Sequence, residues 1–240
     1  MSRYTIAVAS LSGSLLLTPE PGIAQRATAP DSVQHTAWDV PWQGRPRDPY
    51  VAPDGDRIWF VGQAGNYVAF FTPADGRFRQ IAIDSGTHPH TVVVDKQGNA
   101  WYAGNMNGMI GRIDGRTLAI SRYPMPDAAA RDPHTIDFDA RGNLWFSLQN
   151  SNKMGMLDVA SGQVTLIDMP TSRSRPYGVI VAPDGTVWFD LFGTNKIGAN
   201  ATNAVRHMTY DPKTRSLWYG SDQGQLGRAV VPRTLPVIQD

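Results

Sequence analysis

Five tryptophans recur along the chain, each followed at once by another aromatic residue: Trp59-Phe60, Trp101-Tyr102, Trp145-Phe146, Trp188-Phe189 and Trp218-Tyr219. The steps between them are 42, 44, 43 and 30 residues. A period of this size marks a repeat architecture, and it restricts the fold more than any composition figure does. Companion positions keep the same phase. Ten residues after the first four tryptophans stand Ala69, Gly111, Gly155 and Gly198, and nine after the last stands Gly227. Eleven residues before the last four stand His90, His134, Tyr177 and His207, with Tyr50 nine before Trp59.

Each unit reads as four short strands. An apolar run such as His90-Thr-Val-Val-Val94 leads into an Asp/Gly turn such as Asp95-Lys-Gln-Gly-Asn99. A strand with the Trp-aromatic pair follows, then an Asn/Gly loop, a third strand carrying the Gly, and a fourth strand such as Val164-Thr-Leu-Ile-Asp-Met-Pro170. Runs of 4–8 apolar and β-branched residues between close turns argue for β-structure, and no stretch after the leader keeps a helical period. Four antiparallel strands in about 43 residues predict a β-propeller blade, whose faces must be buried by neighbouring blades. The tryptophans are core residues on this reading.

Five blades are expected, the fourth without its outer strand because the step from Trp188 to Trp218 is short. Thr36–Pro41 looks like a strand that completes the last blade and ties the ring shut. The domain boundaries expected are a signal peptide at 1–24, a linker at 25–34, the propeller at 35–231 and a tail at 232–240. The leader rests on Arg3, the apolar run Tyr4–Leu17 and the small residues around Gly22-Ile23-Ala24, and it predicts a periplasmic or secreted protein. A net charge of +1 with no basic run gives no footprint for nucleic acid or an anionic membrane. The chain contains no cysteine, which excludes disulfides, thiolate metal sites and a cysteine nucleophile. A monomer is expected, taking a small-molecule or cyclic peptide ligand at the channel mouth.

The first strand of each blade should line the central channel. His90, His134 and His207, with Tyr50 and Tyr177, then form a ring near one mouth. Two residues upstream, on the same side of an extended chain, lie Asp48, His88, Asp132, Arg175 and Val205. Convergent titratable groups at a concave mouth make a candidate site. His88, His90, Asp132 and His134 could hold a divalent ion or serve as acid and base. Alternatively, each imidazole is structural and satisfied by a carbonyl of a neighbouring blade. The Asn-rich loops are ordinary turn chemistry or an ion site.

The units Arg131-Asp-Pro-His-Thr-Ile136 … Gly142-Asn-Leu-Trp-Phe146 … Asn152-Lys-Met-Gly155 and Arg175-Pro-Tyr-Gly-Val179 … Asp184-Gly-Thr-Val-Trp-Phe189 … Thr194-Asn-Lys-Ile-Gly198 resemble the virginiamycin B lyase (streptogramin lyase) family over about residues 45–231. The resemblance implies a propeller, seven-bladed in the family, and Mg²⁺-assisted elimination that opens a cyclic depsipeptide antibiotic at its ester. It implies His90 and His134 as catalytic residues, with His134 as general base. Asp132 stands where the family has Glu, as a Mg²⁺ ligand, with His90 and His88 nearby. The family's second carboxylate position is Leu148, and about two blades are missing near residues 199–204. A non-catalytic propeller that binds a ligand or protein at the same mouth is the alternative. A calcium-dependent lactonase-like hydrolase is disfavoured, because no Glu lines the expected channel.

Overall fold

In a computed structural model of the chain, residues 36–194, 205–221 and 226–230 are described. The expected leader, linker, C-terminal tail, the strand at Lys196–Gly198 and the join at 199–204 lie outside them. The first sheet holds β1 (Pro46–Val51), β2 (Ile58–Gly62), β3 (Tyr67–Thr72) and β4 (Arg77–Ala82). The second holds β5 (Pro89–Val94), β6 (Ala100–Gly104), β7 (Met109–Ile113) and β8 (Ile120–Pro124). The third holds β9 (Pro133–Phe138), β10 (Leu144–Leu148), β11 (Lys153–Asp158) and β12 (Gln163–Asp168). A fourth pairs β13 (Pro176–Val181) with β14 (Val187–Leu191). The fifth holds β15 (Val205–Asp211), β16 (Ser216–Ser221) and β17 (Leu226–Val230). Every pairing is antiparallel between sequence neighbours, so these are the meander blades of a β-propeller.

The repeated residues have local physical reasons. Asp95 Oδ1 accepts from the backbone N–H groups of Gln97 (3.0 Å) and Asn99 (2.9 Å), while its Oδ2 accepts from the Trp101 indole at 2.8 Å. Asp139 does the same for Arg141, Asn143 and Trp145. The acid six residues before the Trp therefore closes the turn and satisfies the one polar atom of a buried indole. Trp59 has Pro53 at that position, and its indole N–H is buried without a partner. The glycine ten residues after the Trp faces an aromatic ring across the ladder. Tyr102 pairs with Gly111 and Phe146 with Gly155, and a Cβ at these glycines would lie 2.0 and 2.2 Å from those rings.

The core lies between the sheets. Trp59, Val68, Val92 and Tyr102 fill the first interface, Trp101, Ile110, Ile136 and Phe146 the second, and Trp145, Met154, Val179 and Trp188 the next. Burying each such aromatic side chain contributes a few kcal/mol at about 25 cal/mol per Å². Among the innermost strands β1 packs on β5, β5 on β9, β9 on β13 and β13 on β15. Among the described residues β15 and β1 share no packing of that extent.

The expected closing strand is corrected. Residues 36–45 form no strand. The Trp38 ring lies 4.8 Å from Phe71, and the Trp42 ring lies 5.8 Å from Tyr67 and 6.4 Å from Phe78. Pro41 offers no ladder N–H, and Gly44 has φ +142°, while its carbonyl accepts from Ala64. The apolar face of the first sheet, with Phe60 and Phe78, is the surface those indoles cover.

Candidate functional site

The inner strands do not run as plain extended chain. The register shifts between Arg47 and Tyr50 in β1, between Pro89 and Val92 in β5, opposite Phe146/Leu148 in β9, and between Pro176 and Val179 in β13. His90-Thr91, His134-Thr135 and Tyr177-Gly178 therefore occupy β-bulges, which swing a side chain away from the regular alternation. The bulges bring three of the five ring positions together. His90 and His134 lie with ring centroids 3.4 Å apart, and Tyr177 lies 4.2 Å from His134 and 6.2 Å from His90. Phe192 extends the row, 5.4 Å from Tyr177, with the Arg175 guanidinium 5.2 Å above it. Tyr50 stands apart from this row at 39% exposure. The His207 side chain falls outside the described set.

Both imidazoles are buried, and each Nδ1 lies 3.1 Å from the hydroxyl of the following threonine, Thr91 or Thr135. Thr91 in turn donates to Asp48 Oδ2 at 3.0 Å. Burial, reinforced by His134 and Arg47, pushes the His90 pKa down to about 2, so this ring is neutral at physiological pH. Beneath the Tyr177 bulge lies Asp190. Its Oδ1 accepts from the backbone N–H groups of Gly178 (2.7 Å) and Tyr177 (3.2 Å). Burial nevertheless outweighs those two bonds and raises its pKa to about 8.

The expected metal set does not assemble. His88 has φ +45°, its N–H donates to Asn66 Oδ1 at 2.7 Å, and its Nδ1 lies 3.0 Å from the Gln63 carbonyl. It faces the first blade. The expectation that residues two apart share a side assumed extended backbone, which the left-handed φ and the bulge remove. Asp132 is also turned away: it accepts from Ser151 N at 3.2 Å, and from Asn150 N and the Ser151 hydroxyl. It closes the loop after β10. Leu148 is buried, with no polar atom to offer. Among the described residues no group of three or more His, Asp or Glu side chains is placed to hold a metal ion. The residues present therefore do not fit a Mg²⁺ site built on His88, His90 and Asp132. The Asn loops are staples between blades: Asn66 holds His88, and Asn152 Oδ1 accepts from Arg175 N (3.0 Å) and Ser174 Oγ (2.9 Å).

The inner strands enclose a groove of about 620 Å³ whose lining includes His90, Thr91, Tyr177, Tyr50, Val93 and Asp137. Asp137 is a groove acid that sequence reasoning passed over. Its Oδ2 accepts from Val181 N at 2.8 Å, and burial holds its carboxyl above the usual range. Tyr50 is raised first by burial and then by the Asp137 charge, so the two groups share one field. The available signal was an acid between Ile136 and Phe138, three residues after His134 in an inner strand.

Comparison with known proteins follows the same lines. The family model described as the virginiamycin B lyase family matches residues 32–200. A structure of catalytically inactive virginiamycin B lyase from Staphylococcus aureus with quinupristin superposes with a TM-score of 0.70 at 23% identity, covering 79% of this chain and 67% of that one. A streptogramin B lyase structure gives 0.67 at 20% identity, covering 81% and 71%. The extracellular domain of a one-component system from B. thetaiotaomicron gives 0.61 at 12% identity, covering 82% of this chain and 28% of that one. At these identities the superpositions speak for the fold alone. No curated protein sequence matches the chain.

Proposed function

This chain belongs to the virginiamycin B lyase family, and from that premise we propose that it binds a small cyclic peptide-like ligand in the groove of its inner strands, without a metal held by His88, His90 and Asp132. The observation that carries the reading is the close-set row of His90, His134 and Tyr177, of which His90 and Tyr177 line a groove of about 620 Å³. Flat rings, aliphatic walls at Val93 and Val179 and a few polar groups are the usual lining of a small-molecule site. Quinupristin, present with the S. aureus lyase, is the first ligand to try. The pattern of residues 1–24 supports export, which would put the mature chain in the periplasm or outside the cell.

Elimination of a streptogramin-type ester is the second reading, favoured by the close imidazole pair. There His134 takes a proton from the carbon next to the one that bears the ester oxygen, a C=C bond forms between those two carbons, and the C–O bond breaks with the ester leaving as a carboxylate, so the ring opens with no change in mass. Asp132, already committed to the 150–151 loop, offers no support for a Mg²⁺-assisted form of that step.

Thermal melting with quinupristin, with and without Mg²⁺, tests the first reading, and chromatography with mass detection follows the ligand. Binding predicts a rise in melting temperature that does not need Mg²⁺, lost in Tyr177→Ala, with the ligand recovered intact. An unchanged melting temperature at every concentration overturns the quinupristin-binding reading. A new peak of unchanged mass establishes elimination in its place, and a gain of one water establishes hydrolysis.

A further inference from the structure

A hydroxyl group has one proton, and at Thr91 that proton is already assigned by geometry. Thr91 Oγ lies 3.0 Å from Asp48 Oδ2 and 3.1 Å from His90 Nδ1. A carboxylate oxygen only accepts, so the Thr91 proton goes to Asp48. Pointing it at His90 instead would set lone pairs of Thr91 and Asp48 against each other at 3.0 Å. The Thr91 oxygen is then left as an acceptor, and the group that faces it, His90 Nδ1, must carry a hydrogen. The field agrees, because Asp48 Oδ2 is also 3.6 Å from His90 Nδ1 and favours a proton there.

We propose that Asp48 and Thr91 are positioning residues that lock neutral His90 in the Nδ1–H tautomer and leave Nε2 as a hydrogen-bond acceptor. Among the described residues no hydrogen bond engages Nε2. Given the ligand-binding reading above, a group that meets His90 from the groove does so with a hydroxyl or N–H. At the next blade interface the acid of this relay is replaced. Thr135 stands beside His134 as Thr91 stands beside His90, but the residue in the phase of Asp48 is there His88, whose ring faces the Gln63 carbonyl. A packing rule of the repeat would have kept the acid.

Long-range proton–nitrogen NMR of the five imidazoles in the full chain tests this directly, with His90→Gln used to assign the signal. The expected result is a His90 ring wholly in the Nδ1–H form, with Nε2 at the position of an unprotonated nitrogen. Thr91→Val and Asp48→Ala are expected to lose that form in favour of a mixture with Nε2–H, while Thr91→Ser retains it. A wild-type ring protonated at Nε2, or a tautomer indifferent to Thr91→Val in a folded protein, overturns the proposal. Should the variants fail to fold, the wild-type spectrum and Thr91→Ser still decide. Failure of the ligand reading is seen separately, in melting with quinupristin, and leaves the tautomer measurement intact.

Discussion

Replacing Asp190 by Asn should reverse part of the pH dependence of stability. The side chain is fully buried, with one oxygen on two backbone N–H groups and the other without a partner. Its pKa is raised to about 8 in the fold, against about 3.9 in an unfolded chain. Between these values the unfolded state releases its proton and the folded state keeps it. The native state therefore binds more protons, and stability falls as pH rises. At about 1.4 kcal/mol per pH unit, and with the effect levelling off near the folded pKa, the loss between pH 5 and pH 8 is about 3–4 kcal/mol. Asn keeps an acceptor for Tyr177 and Gly178 but has no proton to lose. Urea unfolding followed by tryptophan fluorescence at pH 5, 6.5 and 8 measures both proteins, and other titrating groups cancel in the difference. The Asn variant should gain on the wild type by about 3–4 kcal/mol across that range. A difference that stays flat from pH 5 to 8 would refute the assignment, since it would mean that the folded site holds the carboxylate as readily as water does.

His90 works in the opposite direction. Its pKa is lowered to about 2, so below about 6.5 the unfolded chain takes a proton that the folded site refuses, and stability drops by about 1.4 kcal/mol per unit as pH falls; urea titrations at pH 7 and pH 5 should show that component missing in His90→Gln. Asp132→Ala removes the acceptor of three donors at Asn150 and Ser151. It should cost about 2–4 kcal/mol in a denaturant titration, while calorimetric titration with Mg²⁺ looks the same for variant and wild type. Gly155→Ala sets a Cβ 2.2 Å from the Phe146 ring and should destabilise by about 1–3 kcal/mol, read as a lower melting temperature.

The blades were legible because the Trp-aromatic pair recurs in all five and its companion residues recur in several for the same reason. An acid six positions before Trp101 or Trp145 must close a turn and meet an indole, and a glycine must sit under Tyr102 or Phe146, so the period in sequence is a period in contacts. The inward placement of His90, His134 and Tyr177 was legible for the same reason. Errors came where a contact is not repeated. His88 and Asp132 share a phase with Asp48, yet one meets a carbonyl, one a loop and one a threonine. Nothing in spacing separates these fates: His88 and Asp48 share a left-handed φ, and what each meets depends on which loop or strand lies opposite. The segment 36–42 alternates like a strand, and its apolar side chains do find an apolar surface. That surface is the first sheet's own face, and no period in the chain distinguishes it from a distant edge.

The same bulges explain why the candidate site has a stiff wall. A bulge leaves backbone N–H groups out of the ladder, and a polar side chain on the neighbouring strand can take them. In the first two blades the residue two after the Trp is Val61 or Ala103 and has no polar atom for this task. In the third and fourth it is Ser147 and Asp190. Ser147 accepts from Thr135 N and donates to the Tyr177 carbonyl, while Asp190 takes the Tyr177 N–H from the other side. The backbone that carries Tyr177 is thus gripped on both of its polar atoms, and its ring leans on His134 at 4.2 Å. A polar pair placed under one bulge of a repeat, where the first two blades have apolar residues, holds the backbone of the ring that the proposed ligand would meet.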